Sequence, residues 1–234
     1  MRPTGTGVRR ATGGDAAALA TLVAGALMTG RLSVWLVPDR ADRPSIMRQY
    51  AEFVVAQGLA HGVVDTTDDH TAVAVWYPRS APPPAVRQRD LEPILGPHTA
   101  RFALLHAYAD TVHPFTAHHY LAHLAVAPGP QQAGVGRALL ASHHQLLDAT
   151  QLPAYAEVST SRPRAGLLAA CGYQPRSPIL LQQGGPVVWR MWRPPTHPDQ
   201  AETAGTGLPQ RVRVHRPATP FRGTRLRAAP PGPP

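Results

Sequence analysis

One stretch near the middle of the chain constrains the fold more than any other part of the sequence. Residues 118–126 are predicted as a strand, with an apolar run at 121–126 that stops at Pro128. A turn containing Gln131-x-x-Gly134-x-Gly136 follows, and the chain then enters a helical pattern. A strand whose glycine-containing turn opens a helix directs several backbone N–H groups, with the positive end of the helix dipole, at one point. Such a point binds phosphate oxygens, and glycines let an anion approach the backbone closely.

Two common phosphate-binding loops do not fit this turn. A Walker loop requires a lysine, and this chain has none, because all 23 of its basic residues are arginine. A dinucleotide-binding fingerprint requires a third glycine, which is missing here, and an acidic residue about 20 residues further on. The simplest alternative is an ordinary strand–helix turn. The order of strand, proline, glutamine, glycines and helix argues against it.

This order resembles the central motif of the GCN5-related N-acetyltransferases, which is written Gln/Arg-x-x-Gly-x-Gly/Ala. The resemblance covers about residues 8–193. It also rests on four segments that look like strands and turns of the family: Val8-Arg9-Arg10-Ala11-Thr12-x-x-Asp15, Thr71-Ala72-Val73-Ala74-Val75-Trp76, Pro153-Ala154-Tyr155-Ala156-Glu157-Val158-Ser159 and Cys171-Gly172-Tyr173.

Within the superfamily, the chain looks most similar to the puromycin N-acetyltransferase group of actinobacteria. The shared features are the hairpin Asp-Asp-x-x-Ala-Val-Ala-Val-Trp at residues 68–76, a long helical insert, and Leu-Pro-Ala-Tyr-x-Glu at residues 152–157. The resemblance implies that the acceptor is a small-molecule amine, such as an amino-bearing antibiotic or a related metabolite.

The family resemblance also implies the fold and the acyl donor. The expected fold is α/β (α+β), with a central mixed, mostly antiparallel, splayed sheet flanked by helices. The expected acyl-donor substrate is acetyl-CoA, whose pyrophosphate the loop wraps and whose thioester the backbone of the preceding strand holds. We therefore expect acetyl-CoA to contact Leu124, Ala125, Val126, Gln131, Gln132, Ala133, Gly134, Val135, Gly136, Arg137 and Ala138.

Glu157 is the first candidate for the base that deprotonates the amine. It occupies the position of the glutamate in the puromycin-type motif. Strand alternation puts it on one face with Tyr155 and Ser159. The structural alternative is a glutamate paired with a nearby arginine, either Arg162 or Arg164.

His123 is the second candidate base, because an imidazole titrates near neutral pH. Strand alternation predicts that it shares a face with His119 and Leu121. A hydrogen-bonded histidine of the sheet is the alternative. A zinc site formed by His113, His118, His119 and His123 is not expected, because the adjacent His118 and His119 point to opposite faces of a strand and no carboxylate lies at ligand spacing.

The acid that protonates the leaving thiolate is the main departure from the family. Members often carry a tyrosine four residues before the closing glycine, and this chain has Leu168 four residues before Gly172. The nearest replacements are Tyr173, Cys171 and Ser159. The thiolate of a thiol with a pKa near 8.5 is a good leaving group even without an acid, so we expect a reduced rate and not a loss of activity. A catalytically silent CoA-binding protein is the alternative.

The acceptor pocket is expected between the first two helices, an apolar loop at Trp35–Pro38 and residues 90–118. The candidate substrate-binding residues are Trp35, Tyr50 and Trp76. Aromatic residues at such spacings also suit a hydrophobic core. The helix over residues 134–150 is expected to turn Val135, Leu139, Leu146 and Ala149 inward and His143-His144 to solvent.

Composition divides the chain into three parts: a flexible N-terminus at residues 1–7, an acetyltransferase domain at 8–193 and a disordered tail at 194–234. The tail holds ten prolines, four glycines and six arginines in 41 residues, with five large apolar side chains, too few to offset the cost of ordering. The net charge of +9 suits a ligand with several phosphates.

The remaining composition excludes several classes. The single cysteine, Cys171, rules out an internal disulfide. No apolar stretch reaches about 20 residues, and no signal peptide is recognisable, so we expect a cytoplasmic protein. We expect a monomer or homodimer with no nucleic-acid, membrane or metal partner. The function predicted is acetyl-CoA-dependent N-acetylation of a small amine, and the alternatives are a protein or peptide N-acetyltransferase and the silent CoA-binding protein.

Overall fold

The computed structural model of the protein describes residues 7–28, 30–80, 88–129, 134–182 and 184–196. The predicted flexible N-terminus and disordered tail therefore lie almost entirely outside the described residues. Within these ranges, no helix is long and apolar enough to cross a membrane.

The described strands form one extended sheet in the order β1-β2-β3-β4-β5-β8-β6, and β7 pairs with β8. The strands are β1 (Val8–Arg10), β2 (Val63–Thr67), β3 (Ala72–Arg79), β4 (His118–Val126), β5 (Ala154–Val158), β6 (Gln174–Pro175), β7 (Ile179–Leu180) and β8 (Val187–Arg193). Only the β4–β5 pairing is parallel among the strands that the structure describes. The predicted fold class, a mostly antiparallel mixed sheet with flanking helices, is confirmed.

Helices cover both faces of the sheet. They are α1 (Ala16–Leu27), α2 (Arg31–Leu36), α3 (Arg43–His61), α4 (Gln88–Leu95), α5 (Thr99–Thr111), α6 (Val135–Ala149) and α7 (Leu167–Ala170). One face packs against α6 and α7, around Leu139 and Leu140. The other packs against α1 and α3, around Leu19 and Val55. A third hydrophobic cluster, which includes Phe102, packs α2, α3, α4 and α5 against β8.

A β-bulge in β4 changes which face each of its side chains occupies. Along β3, Val75 pairs with His123 but its neighbour Trp76 pairs with Leu121, so Ala122 is an extra residue on β4. A bulge of this kind bends the strand and reverses the alternation beyond it. The parallel pairing of β4 with β5 ends at Leu121, immediately before the bulge. From there the two strands diverge, which gives the splayed sheet.

Two helices depart from the sequence prediction. The stretch predicted as an apolar loop, Trp35–Pro38, begins in α2, where the Ser33 hydroxyl donates to the carbonyl of the N-cap residue Gly30 at 2.8 Å. The helix forms because burying Trp35 in the core outweighs weak local propensity.

In α6, Leu139 is fully buried, as predicted, but the orientation of other residues was predicted wrongly. Leu146 is 45 % exposed and Ala149 is exposed, whereas His143 and His144 are buried. His143 bonds Asp65 and His144 bonds Tyr173, and these distant partners make their burial favourable.

Candidate active site

A cavity of about 690 Å³ opens where β4 and β5 diverge. Helices α3 and α5 form one side, and the residues from β5 to α7 form the other. Much of its wall is apolar or aromatic, with titratable groups among these residues: Tyr50, His61, Tyr77, Arg79, His106, Asp110, His113, Tyr120, His123, Glu157 and Arg162. A concave, largely apolar cavity with a few polar groups is typical of a small-molecule site.

Glu157 is the carboxylate that two tyrosines hold inside this cavity. Tyr155 donates a hydrogen bond to its Oε1 at 2.7 Å, and Tyr120 donates to its Oε2 at 3.4 Å. Burial raises the pKa of Glu157, while the two phenols act against that rise. The structural alternative, a pairing of Glu157 with Arg162 or Arg164, is not among the ion pairs of the described residues. A buried carboxylate with a raised pKa is suited to accept a proton from an amine.

His123 also lines the cavity, but on a face that sequence alternation did not predict. The bulge at Ala122 turns His123 toward Tyr50, with the two ring centres 6.2 Å apart. His119 lies on the opposite face, where its Nδ1 is 2.9 Å from Nε2 of His143. Burial and the neighbouring His106 lower the pKa of His123 to about 4. The imidazole is therefore neutral at pH 7, and it is a weaker base than Glu157.

Two of the four histidines considered for zinc, His113 and His118, are hydrogen-bonded to each other. Nε2 of His118 lies 3.1 Å from Nε2 of His113, on the cavity side of the sheet. His119 faces α6. Among the described residues, no group of three or more histidine, cysteine or carboxylate side chains is arranged to hold a metal ion.

The backbone of β4 offers donors where the strands diverge. Ala127 donates to the Thr71 carbonyl at 2.8 Å, toward β3. Because N–H directions alternate, Ala125 also donates toward β3, whereas Leu124 and Val126 point their N–H groups into the gap beside β5. Two of the three predicted thioester-contacting residues thus have donors available for an acyl carbonyl. The N–H group of Ala125 is directed toward β3 and is not available to an acyl carbonyl.

The glycines at the start of α6 have different structural roles. Gly134 is the N-cap and adopts a φ of +92°, a left-handed conformation that favours glycine. A Cβ on Gly136 would lie 2.9 Å from Leu167 Cδ2 and 3.1 Å from Val126 Cγ2. Gly136 therefore allows α6 to approach β4 and α7 closely. The predicted contacts Gln131, Gln132 and Ala133 lie outside the described residues.

The candidates for the acid that protonates the thiolate differ in whether they line the cavity. Leu168 lies in the cavity wall and is 8 % exposed, so the position at which family members often carry a tyrosine is apolar here. The Tyr173 hydroxyl lies 3.1 Å from Nε2 of His144, and burial raises its pKa strongly. Tyr173 and Cys171 are not among the described residues of the cavity wall, whereas Ser159 is.

Only one of the three predicted substrate-binding aromatics lies in the described cavity wall. Tyr50 lines the cavity, with Nε2 of His106 3.1 Å from its hydroxyl. Trp35 is buried in the core between α2 and α5. Trp76 is fully buried and stacks on His143, with ring centres 4.0 Å apart. Trp35 and Trp76 are core residues, which is the alternative that their spacing left open.

Two wall residues were missed by the sequence analysis, Tyr120 and Arg79. Tyr120 follows the histidine pair at the start of β4, and only the β4–β5 register shows that it lies beside Tyr155. Arg79 lies at the end of β3, directly after Pro78, and no local pattern indicates that this position faces the cavity.

Comparison with solved structures supports the class of protein that this site indicates. A protein from Corynebacterium glutamicum, described as histone acetyltransferase HPA2 and related acetyltransferase, is 25 % identical with a TM-score of 0.61, covering 82 % of this chain and 98 % of its own. Mosquito arylalkylamine N-acetyltransferase-like 5b has a TM-score of 0.56 at 14 % identity, covering 80 % and 99 %. The polyamine N-acetyltransferase of Drosophila melanogaster has a TM-score of 0.55 at 16 % identity, covering 80 % and 97 %.

No protein-family model and no curated protein matches the sequence. The structural likeness nevertheless extends over nearly the whole length of each of these proteins. The chain has the GCN5-related N-acetyltransferase fold, and the likeness supports an acyltransferase enzyme. The puromycin-type subgroup stays a prediction.

Proposed function

We propose that the protein is an acetyl-CoA-dependent N-acetyltransferase that acts on a small amine with an apolar or aromatic body. The observation that carries this proposal is Glu157, a carboxylate held by two phenols inside a largely apolar cavity beside diverging strands. Solved proteins of this fold include arylalkylamine and polyamine N-acetyltransferases, which agrees with an amine acceptor.

The residues at the gap between β4 and β5 fit an acyl-CoA. The N–H groups of Leu124 and Val126 would hold the thioester carbonyl, and the N-terminus of α6 at Gly134 would hold phosphate oxygens. When bound, acetyl-CoA supplies an activated acetyl group. An amide bond then forms as the carbon–sulfur bond breaks, and the thiolate takes up a proton.

The protein's own part in this chemistry is to prepare the amine. An amine arrives as an ammonium ion, and Glu157 accepts one of its protons. The phenols of Tyr155 and Tyr120 fix the carboxylate and keep its pKa from rising further. His123, neutral at pH 7, contributes to the wall and can accept a hydrogen bond from the acceptor.

The acceptor we propose remains an amino-bearing antibiotic or a related metabolite, because the cavity is enclosed by helices and suits a small molecule better than a chain segment. Leu168 favours a second candidate, the silent CoA-binding protein, since no phenol stands at that position of the wall.

Release of CoA thiol from acetyl-CoA, measured over a panel of small amines, tests the proposal. Wild type is expected to release thiol with at least one amine of the panel. Glu157→Gln is expected to lower the rate constant by about 10²-fold or more, as for loss of a general base. The control is Glu52→Gln, which changes an exposed glutamate on α3. Thermal protection by CoA without thiol release from any amine would favour the silent protein.

A further inference from the structure

His123 is a polar side chain of the cavity wall whose two ring nitrogens form no hydrogen bond with the described residues. Its ring meets that of Tyr50 at an angle of 74°, with ring centres 6.2 Å apart. Neither nitrogen is among the fully enclosed atoms that lack a partner, so both are accessible from the cavity that His123 lines. An imidazole in an apolar wall that keeps its hydrogen-bonding capacity free points to a ligand.

The polar groups next to His123 do not use this capacity. The Tyr50 hydroxyl lies 3.1 Å from Nε2 of His106, so these two side chains bond to each other. Burial raises the pKa of Tyr50, so its phenol keeps its proton, and burial lowers the pKa of His106 to about 4. Tyr50, His106 and His123 therefore form a cluster of three uncharged polar side chains in the wall.

The cluster suits an uncharged group of the ligand. Burial and His106 lower the pKa of His123, and no carboxylate or guanidinium of the described residues is among the causes. A ligand carboxylate would require a protonated imidazole, which this environment disfavours, and an ammonium group is better served by the carboxylate of Glu157. A neutral imidazole has one nitrogen that donates and one that accepts. A hydroxyl group also does both, so it can bond to either nitrogen.

The wall around the cluster is otherwise apolar. Five apolar side chains line the cavity and pack in the same hydrophobic cluster as Tyr50: Leu27, Leu32, Phe53, Val54 and Leu105. The matching part of a ligand is therefore an apolar or aromatic body that carries a hydroxyl. A ligand without the hydroxyl would bury the nitrogens of His123 without a partner, and a site built to bond a hydroxyl rejects such an analogue.

The position of His123 sets its separation from the proposed base. Along β3, Tyr120 pairs with Tyr77 and His123 pairs with Val75, so the two β4 residues lie on one face and are two ladder positions apart. This separation is about 7 Å along the strand. Because Tyr120 holds Glu157, an amine at Glu157 and a hydroxyl at His123 belong to opposite ends of the acceptor and not to neighbouring carbons.

We infer that His123 is a specificity-determining residue that bonds a hydroxyl group of the acceptor, so that the substrates are amines with a hydroxyl on an apolar or aromatic body. This inference rests on the proposed function for the amine end. Binding of the hydroxyl does not depend on catalysis, so it can be tested separately.

The first experiment measures binding without an amine. p-Cresol and toluene, which differ by one hydroxyl, are titrated into the full-length protein by calorimetry, and the ratio of their Kd values is compared between wild type and His123→Phe. The comparison between proteins cancels the different hydration of the two probes. The preference for p-cresol is expected to be at least fivefold smaller in His123→Phe, as for loss of a neutral hydrogen bond. His123→Gln, which keeps a donor and an acceptor, should retain part of it.

The matched control is His98→Phe. His98 is a partly buried imidazole beside Asp42 and is not among the described residues of the cavity wall. It should leave the ratio at the wild-type value. Thermal melting shows whether each variant is folded, and His123→Leu takes the place of His123→Phe if the latter is not. A ratio that stays at the wild-type value in the folded His123 variant overturns the inference.

The second experiment compares amine substrates. Thiol release is measured with tyramine and phenethylamine, and wild type is expected to prefer tyramine at least fivefold in kcat/KM. His123→Phe should reduce this preference, whereas loss of a base would lower kcat/KM equally for both amines and would contradict the specificity role. Preferential binding of p-cresol that depends on His123, without turnover of any amine, would contradict the proposed function and leave the hydroxyl site intact. Equal kcat/KM for tyramine and phenethylamine in wild type would overturn the hydroxyl site alone.

Discussion

Acidification is expected to destabilise the protein strongly, because the folded state buries several histidines in their neutral form. Burial is the main cause that lowers the pKa from the ordinary 6.5 to about 4 in five of them: His106, His113, His119, His123 and His144. In the unfolded chain these groups titrate near 6.5. Between pH 6.5 and 4 the unfolded state therefore binds more protons than the folded state. Stability is fully present above pH 6.5 and falls as the pH falls toward 4.

The size of this effect follows from the pKa difference. A change from 6.5 to about 4 corresponds to about 3 kcal/mol for one histidine, of which about 1 kcal/mol is lost between pH 7.5 and 5.5. Five such groups sum to about 5 kcal/mol over that range. The whole stability of a domain is about 5–15 kcal/mol, so the protein is expected to be close to unfolding at pH 5.

His144→Gln tests the reasoning at one site outside the cavity. The His144 ring is buried with its Nε2 3.1 Å from the Tyr173 oxygen, and glutamine can keep that hydrogen bond. Urea unfolding followed by circular dichroism at pH 7.5 and 5.5 gives the loss of unfolding free energy on acidification. This loss should be about 1 kcal/mol smaller in His144→Gln than in wild type. His61→Gln, which removes an exposed imidazole, is the control. An equal loss in wild type and His144→Gln would refute the account.

Three further predictions concern the site and its supports. In urea unfolding, Gly136→Ala should lower the free energy of unfolding by about 1–3 kcal/mol, because the added methyl group contacts Leu167 and Val126. Gly134→Ala adds a methyl group in open space, so it should lower the free energy of unfolding only by the strain of the left-handed backbone, about 1–2 kcal/mol. Tyr155→Phe removes a bond that lowers the pKa of Glu157, so the acid limb of kcat/KM should move to higher pH, and an unmoved limb would exclude Glu157 as the titrating base. Leu168→Tyr should raise the rate constant by tenfold or less if thiolate protonation limits the rate, and equal rates in both proteins would show that it does not.

Local patterns predicted most of the sheet. The run from His118 to Val126 was assigned as a strand with the bounds that the structure gives, because apolar residues and a following proline delimit it. The hairpin of β2 and β3 and the interrupted helical insert were also identified from turn residues and periodicity. These features depend on neighbouring residues, which a sequence displays directly.

The errors concern interactions between distant parts of the chain. His143 and His144 looked like a solvent-facing pair on α6 because histidine is polar. Their burial depends on Asp65, 78 residues away, and on Tyr173, 29 residues away. Trp76 was predicted to bind substrate and instead packs on His143. No local pattern reveals such partners, because they depend on strand order and register.

The bulge at Ala122 accounts for the remaining error and also organises the candidate site. Without the bulge, with Ala122 paired in a regular ladder, alternation would carry His123 to the α6 face with His119, as the sequence predicted. It would also turn the N–H groups of Leu124 and Val126 toward β3, so that they would no longer be donors in the gap beside β5. The bulge therefore places an imidazole beside Tyr50 and directs two backbone donors to the point where β4 leaves β5. The side chain of alanine gives no sign of this, since a bulge is a property of pairing with β3 and not of the residue itself.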